Sequence, residues 1–235
     1  MFETKSRRMQ INAEGLIRRL REDADPASRD GMAGFGINTE RVLGVRMPRI
    51  RALAREAGKD HETAKRLWQS GIAEARILAA LMAEPAKVDD KLLEQWVADF
   101  DSWDVCDQCC MNLFRRTDGV RAKIEVWAAR EEEFVRRAAF ALIATLAVHE
   151  KKEPDARFSE FFPLIEAHSD DARNFVKKAV NWALRQIGKR NMKLNAAAIA
   201  CAKRIARRGT PAARWIAADA LRELRDPKIL GRIKS

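Results

Sequence analysis

The stretch "FVRRAAFALIATLAVH" at 134–149 decides the fold, because its opening returns as "FVKKA" at 175–179. Both stretches carry the apolar spacing of an amphipathic α-helix. A second fragment repeats less closely, since "WALR" at 182–185 returns in part as "DALR" at 219–222. Similar helices at intervals of about 30–45 residues are typical of chains that stack one helix pair on the next.

The rest of the chain has the composition of a helical protein. Ala, Leu, Arg, Glu and Lys dominate, Tyr is absent and Thr is sparse, which favours helices over strands. Several breaks between the amphipathic stretches supply candidate N-caps, namely Asp60, Asp101 or Ser102, Asp155, Asp170, and Thr210 followed by Pro211. The predicted helix pairs are 60–70 with 72–84, 88–100 with 102–116, 118–130 with 132–149, 155–169 with 171–188, and 193–208 with 210–226.

These pairs predict an all-α, HEAT-like repeat α-solenoid, a curved superhelix of antiparallel helix pairs. We expect one DNA-binding domain over 1–235, with the repeats at 60–226. Residues 1–58 would form the N-terminal capping helices, at about 9–24 and 46–58. An ordinary helical bundle is the alternative.

The charge favours a polyanionic partner. The 235 residues hold 45 Lys and Arg against 34 Asp and Glu, a formal net charge of +11, and each phosphate neutralised releases a counterion. The opening "MFETKSRRMQ" lacks an apolar segment of the signal-peptide kind, and no window of about 18 apolar residues spans a membrane. Four cysteines do not make a disulfide framework. We therefore expect a cytoplasmic protein, with a monomer as the default.

A basic stripe with a tryptophan in it runs along the stretch 174–189. The wheel places Lys178, Trp182, Arg185 and Lys189 roughly opposite an apolar arc, so the indole is badly placed for its own helix's core. Two interpretations stay open: Trp182 packs against an adjacent repeat, or it forms an aromatic platform for nucleic acid between phosphate-binding cations. The candidate DNA contacts are the cations of this stretch and its ends, together with one arginine of 134–149: Lys177, Lys178, Arg185, Lys189, Arg190 and Arg136.

The stretch "DSWDVCDQCC" at 101–110 carries a second candidate. Trp103 and Asp107 are four residues apart and share one helical face. The same spacing occurs at Trp215 and Asp219, with Arg222 on the same face, so the spacing alone is not specific. A solvated or Arg-paired surface carboxylate remains an alternative for Asp107, and at least one of the two motifs is expected to be packing.

The cysteines of this stretch are predicted to pack rather than to bind metal. "CDQCC" holds one C-x-x-C without a second pair, and the nearest histidines are His61 and His149, whereas structural zinc needs four convergent ligands. Cys106, Cys109 and Cys110 fall on one apolar helix side. No metal site and no cofactor are expected.

Four stretches together resemble the DNA alkylation repair family, the AlkD-like DNA glycosylases with HEAT-like repeats. The resemblance covers about 10–225. The stretches that carry it are "GVRMPRIRALAREAGKDHETAKRLWQSGIAEARILAALMAEP" (44–85), "SWDVCDQ" (102–108), "VRRAAF" (135–140) and "KKAVNWALR" (177–185).

The resemblance implies hydrolysis of the N-glycosidic bond of N3- or N7-alkylated purines in double-stranded DNA, as in base-excision repair. It implies that the lesion's backbone is held in a concave cleft, without the base-flipping pocket of most glycosylases. The family's catalytic Trp and Asp fall on Trp103 and Asp107, its second aromatic on Trp182, and its active-site Arg on Arg137, with Arg136 possible. Further aromatics are common near the lesion in this family, and here the N-terminal part offers only Phe2, Phe35 and Trp68.

The chemistry fits these side chains. Alkylation at N3 or N7 makes the purine a cationic leaving group, so no general acid is needed. One carboxylate, Asp107, would stabilise the oxocarbenium-like sugar and orient or deprotonate the water. The indoles of Trp103 and Trp182 would favour the positive sugar, and Arg137 would hold a neighbouring phosphate. A noncatalytic HEAT-repeat module for damaged or unusual DNA is the alternative function, and the basic stripe disfavours a protein–protein scaffold.

Overall fold

Within residues 12–233, the part of the chain that this computed structural model describes, the backbone forms helices and no strand. Contacts divide the chain after Val88 into two compact units. The helices of the first unit are α1 (Ala13–Glu22), α2 (Pro26–Ala33), α3 (Met47–Ala57), α4 (His61–Gln69) and α5 (Ala73–Met82). Those of the second are α6 (Asp90–Ala98), α7 (Trp103–Asn112), α8 (Val120–Ala128), α9 (Glu133–His149), α10 (Ala156–Ser159), α11 (Phe162–Ala167), α12 (Asn174–Gly188), α13 (Met192–Arg207), α14 (Pro211–Leu224) and α15 (Pro227–Leu230).

Three of the five predicted helix pairs are confirmed as packed pairs: α4 with α5, α8 with α9, and α13 with α14. In a fourth, both predicted helices are present, and α6 and α7 each pack against α9. The fifth pair differs, because the predicted helix at 155–169 is divided into α10 and α11. Pro163 occupies the first turn of α11. A proline ring clashes with the carbonyl four residues before it, here that of Ser159, the last residue of α10. The break therefore follows from one residue.

The caps were predicted with mixed success. Asp60 caps α4 by accepting from Thr63 N, and Thr210 caps α14 ahead of Pro211. Ser102 and Asp155 occupy N-cap positions without a side-chain cap bond. The prediction for Asp170 was wrong: α12 begins after Arg173, because the Asp170 carboxylate binds Arg208 and Thr210 Oγ1 of the next pair.

In the first unit, α5 packs against α1, α3 and α4. The buried Glu74 of α5 accepts hydrogen bonds from the backbone N–H groups of Leu43, Gly44 and Val45, the one from Gly44 at 2.7 Å. A carboxylate thus fixes the loop that leads into α3. Residues 9–11 of the predicted first helix lie outside the described residues. The helix α2 lies between the two predicted capping helices and was not predicted.

In the second unit, α9 is the central helix. It packs against α7, α8 and α12, and α12 packs in turn on α13 and α14. Every residue from Arg137 to Ala147 is buried, and the many alanines among them let neighbouring helices approach closely. The row α7, α9, α12 and α14 therefore places one helix from each successive pair side by side. No helix of the described range is long and apolar enough to cross a membrane.

Candidate functional site

The three cysteines of α7 fasten this helix to α9. Cys106, Cys109 and Cys110 are fully buried, as predicted. The Cys106 Sγ donates to Phe134 O and the Cys110 Sγ to Ala138 O, each at 3.7 Å. Both spacings are four residues, so one turn of α7 is matched to one turn of α9. Burial raises the pKa of these thiols above the ordinary value, which leaves them protonated and unreactive.

This docking brings Asp107 to Arg137. Arg137 Nε donates to Asp107 Oδ1 at 3.0 Å and Nη2 donates to Oδ2 at 2.8 Å, a bidentate ion pair. Only 7% of the arginine side chain and 14% of the carboxylate side chain are exposed. The remaining Nη1 donates to the carbonyl of Phe175 in α12 at 2.6 Å. Three helices, α7, α9 and α12, thus meet at one guanidinium.

Two opposing effects act on the carboxyl. Burial raises the pKa of Asp107, and the charge and hydrogen bonds of Arg137 lower it, with burial the larger effect. For Arg137, burial lowers the pKa but Asp107 outweighs it, so the pKa is raised and the guanidinium stays charged. A largely buried carboxylate with a raised pKa beside a fixed cation is suited to act as a general base and to stabilise positive charge.

Arg136, the other candidate arginine, faces a different partner. It donates to Asp171 at 2.9 Å and to Glu131 at 3.2 Å. Although burial raises the pKa of Asp171, hydrogen bonds from Arg173 and Arg136 outweigh it and hold this pKa at about 2. This pair joins α9 to the segment before α12. The contacts therefore connect Arg137, and not Arg136, with Asp107.

The two tryptophans of the predicted site lie on the helices that flank α9. Trp103 is the first residue of α7 and Trp182 lies in the middle of α12; both are half-buried. When the Gln186 carboxamide is assigned the orientation in which its oxygen faces donors, this oxygen accepts from Trp182 Nε1 and Lys189 Nζ, each at 3.1 Å. The indole of Trp182 is therefore oriented by its own helix. The predicted apolar arc of α12 is confirmed, since all of its members are buried: Val176, Ala179, Val180, Ala183, Leu184 and Ile187.

The cations of the predicted stripe divide into two groups. Lys178 is exposed. Arg185 and Lys189 both pair with Glu223 of α14, the lysine at 2.5 Å, and Arg185 lies 3.7 Å from Asp219. Neither acid was predicted to pair with the basic stripe, although Asp219 belongs to the second Trp-x-x-x-Asp motif.

Arg190 is half-buried and its guanidinium is bound to protein groups. Its guanidinium donates to the carbonyls of Ala147, Glu150 and Glu153 and lies 3.8 Å from the ring centroid of Phe158. These contacts join the end of α12 to the end of α9 and to the loop that follows it.

The second Trp-x-x-x-Asp motif has a different environment. Asp219 accepts from Asn181 Nδ2 at 2.6 Å and pairs with Arg222, whereas Asp107 pairs with one buried arginine. Trp215 is 39% exposed, with Lys177 Nζ 4.9 Å from its ring centroid. The two motifs therefore share the spacing of Trp and Asp, but their carboxylates have different partners.

The aromatic residues of the N-terminal part differ in exposure. Trp68 is buried, with the guanidinium of Arg76 5.3 Å from its ring centroid. Phe35 is 72% exposed, and Phe2 lies outside the described residues. Across residues 12–233, no group of three or more His, Cys, Asp or Glu side chains is placed to hold a metal ion.

Comparison with known proteins gives a family and a fold. The sequence profile described as DNA alkylation repair enzyme matches residues 16–224. No curated protein sequence matches the chain. One similar solved structure belongs to a family described as related to the HEAT-like repeat DNA glycosylases, with affinity for branched DNA structures. Its TM-score is 0.74 at 16% identity, over 90% of this chain and 94% of that chain. A second, an engineered protein, has a TM-score of 0.43 at 13% identity, over 91% and 98%. The first likeness confirms the all-α fold of HEAT-like repeats.

Proposed function

Because the chain belongs to the DNA alkylation repair enzyme family, we propose that it is a monofunctional DNA glycosylase. Its substrate would be double-stranded DNA that carries N3- or N7-alkylated purines. The observation that carries this proposal is the buried, bidentate pairing of Asp107 with Arg137 where α7, α9 and α12 meet. The cytoplasmic location and monomeric state expected from the sequence belong to the same proposal.

The proposed reaction replaces the bond from C1′ to the purine nitrogen by a bond from C1′ to water oxygen. The electron pair of the breaking bond goes to the purine, whose alkylated ring is cationic and becomes neutral. Asp107 stabilises the positive charge that develops on the sugar and accepts a proton from the attacking water. No acid is required on the leaving group. A single carboxylate is therefore enough for hydrolysis.

In this mechanism Arg137 positions Asp107. Its Nε and Nη2 donate to the carboxylate and its Nη1 to Phe175 O, so these donors are engaged before DNA arrives. This role replaces the phosphate contact that we had expected for Arg137. A fixed carboxylate loses little entropy on reaching its reactive geometry.

Trp103 and Trp182 would provide two electron-rich surfaces beside the sugar. Both are half-buried, which leaves part of each indole for a ligand. The hydrogen bond from Trp182 Nε1 to Gln186 holds one of them in place. Indoles stabilise a nearby cation by about 0.5–2 kcal/mol, so together they favour the oxocarbenium-like sugar.

The DNA backbone would be held by the cations of α12 and its neighbours. Lys178 is exposed, and Lys177 lies at the half-exposed surface beside it, so these two are placed for phosphates. Arg136, Arg185 and Lys189 would exchange a carboxylate for a phosphate. Arg190 is bound to three carbonyls, and we assign it to the fold rather than to DNA.

The test is release of 7-methylguanine and 3-methyladenine from methylated duplex DNA. We expect the wild-type chain to release both bases and Asp107→Asn to be slower by about 10²–10⁴-fold. Asp219→Asn is the matched control, because it changes the carboxylate of the second Trp-x-x-x-Asp motif, and it should keep its activity. Equal release by wild type and Asp107→Asn would remove Asp107 from the mechanism.

A second candidate function is a noncatalytic module that binds damaged or unusual DNA. The affinity of the structurally similar protein for branched DNA favours it. It predicts no base release by the wild-type chain and tight binding to a four-way junction. Under this alternative Asp107→Asn would change neither measurement.

A further inference from the structure

The strongest feature outside the proposed site is an exposed aromatic on α14. The helix buries Ala212, Ala213, Ile216, Ala217, Ala220 and Leu224, which completes its apolar face. Trp215 is not on that face and is 39% exposed. An indole placed where its own helix does not need it for packing is a candidate contact for a ligand.

Cations surround this indole. Arg214 and Arg222 lie on the same helix, and the side chain of Arg222 is 77% exposed. Lys177 of α12 reaches over the ring, with Nζ 4.9 Å from the centroid. We call this set, Arg214, Trp215 and Arg222 with Lys177, the Trp215 face. It combines one flat apolar surface with donors for phosphate.

The nearby acids are largely buried and paired. Asp219 is 16% exposed and Glu223 22%, and both carboxylates bind protein groups. Asp219 accepts from Asn181, and Glu223 pairs with Arg185 and Lys189. Arg222 pairs with Asp219 but keeps 77% of its side chain exposed. Arg222, the exposed Arg214 and the half-exposed Lys177 can therefore reach a phosphate.

The carboxylates of Asp219 and Asp107 differ in their partners. Asp107 faces a single buried guanidinium, whereas Asp219 is occupied by an amide and by the arginines Arg222 and Arg185. Asp219 thus connects α14 to α12 through Asn181.

We propose that the Trp215 face stacks the base of an unpaired nucleotide while its cations hold the adjoining phosphates. An aromatic ring flanked by cations is the usual arrangement for single-stranded nucleic acid, because every base has a face that can stack. A paired base has both faces covered by its neighbours. The lysine stem of Lys177 is long enough to stay beside the indole while its ammonium moves from the ring to a phosphate.

This inference rests on the proposed DNA-binding function, and it adds a ligand class: a duplex that ends in, or is interrupted by, a single strand. The Trp215 face is one helix beyond Trp182 in the row α7, α9, α12 and α14. A strand that leaves the duplex beside α12 would thus meet α14 next.

The experiment compares binding of two undamaged DNAs, a blunt duplex and the same duplex with a single-stranded extension of about six thymidines. Fluorescence anisotropy of the labelled DNA gives each Kd. We expect the wild-type chain to bind the extended duplex about tenfold more tightly, since one stacked base contributes about 1–3 kcal/mol. Trp215→Ala should lose this preference, and Trp215→Phe should keep most of it.

Met192→Ala is the matched control, because Met192 is also an exposed large apolar side chain, 44% exposed on α13. Thermal unfolding of each variant by circular dichroism shows that the fold is retained. Equal affinity of the wild-type chain for the two DNAs, or an equal loss for both DNAs in Trp215→Ala, would overturn the proposal. Because the DNA is undamaged, a chain that releases no alkylated base still gives a result, so this inference and the glycosylase proposal fail separately.

Discussion

Arg137 donates two parallel hydrogen bonds to Asp107, from Nε to Oδ1 at 3.0 Å and from Nη2 to Oδ2 at 2.8 Å. The two residues belong to different helix pairs. Both side chains are largely buried. A buried pair of this kind is costly to break, because the group that remains loses its counter-charge without regaining water. Stability and the proposed chemistry are therefore linked at one contact.

Replacing only Arg137 should lower both stability and activity. Arg137→Gln leaves the Asp107 carboxylate buried without a cation, and we expect a loss of about 3–5 kcal/mol in the free energy of unfolding. Base release should fall as well, because the carboxylate is no longer fixed. Urea unfolding followed by circular dichroism measures the first effect, and the excision assay the second.

The double variant Asp107→Asn with Arg137→Gln is the control for this interpretation. Two neutral amides can hydrogen-bond to each other, so most of the lost stability should return. Activity should not return, because the carboxylate is absent. If excision recovered along with stability, Asp107 would be a structural residue.

The rate of base release should fall at acid pH. Burial raises the pKa of Asp107 above its ordinary value of 3.8, against the opposing effect of Arg137. The ionised carboxylate is the active form, so activity is lost as the pH falls through this pKa. In Arg137→Gln the opposing cation is gone, and the acid limb should move to higher pH. Initial rates between about pH 4 and 8, corrected for spontaneous base loss, locate the limb. A limb that stays in place in Arg137→Gln would mean that another group titrates.

Lys178 should account for about one unit of the salt dependence of DNA binding. It is the exposed cation of the predicted stripe, so Lys178→Ala removes one phosphate contact and lowers the slope of log K against log salt by about 1. Lys189→Ala should have a smaller effect, because Glu223 already neutralises Lys189 at 2.5 Å. Lys203→Ala, an exposed lysine of α13, serves as the control, and its slope should match the wild type.

The period of the sequence was enough to predict the buried side of the helices. The apolar arc of α12 and the cysteine side of α7 are buried as expected, because a period of 3.6 residues determines which side chains share a face. The side-chain contacts between helices could not be predicted in this way. Arg185 and Lys189 were expected to face a ligand, but they meet Glu223. That meeting depends on how α14 lies on α12, which no single-helix pattern contains.

Local breaks were predictable only where a residue forces them. Pro163 divides the predicted helix at 155–169, and its effect on the preceding turn was available in the sequence. Asp170 was a reasonable N-cap by residue type, yet a tertiary contact with Arg208 takes its carboxylate. The ion pair between Arg137 and Asp107 was not predicted either, because the family resemblance implied a phosphate contact for Arg137.

Gly44 should be the glycine of the first unit that tolerates substitution least. Its φ is +84°, and a Cβ there would lie 2.1 Å from Asp25 O and 2.9 Å from Arg29 N, both backbone atoms. Gly58 is the matched control, because its φ is +78° but a Cβ would meet nothing within 4 Å. With a ψ of −166°, Gly58 adopts a backbone conformation that is nearly restricted to glycine, so Gly58→Ala should cost only that backbone strain, about 1–3 kcal/mol.

Gly44→Ala adds a steric overlap to the same strain. The backbone around it cannot shift freely, because Glu74 holds the N–H groups of Leu43, Gly44 and Val45. We expect a loss of about 3 kcal/mol or more in the free energy of unfolding, measured by urea unfolding beside Gly58→Ala. Equal losses in the two variants would mean that the loop moves away from Asp25 at little cost, and that the Glu74 contacts do not fix it.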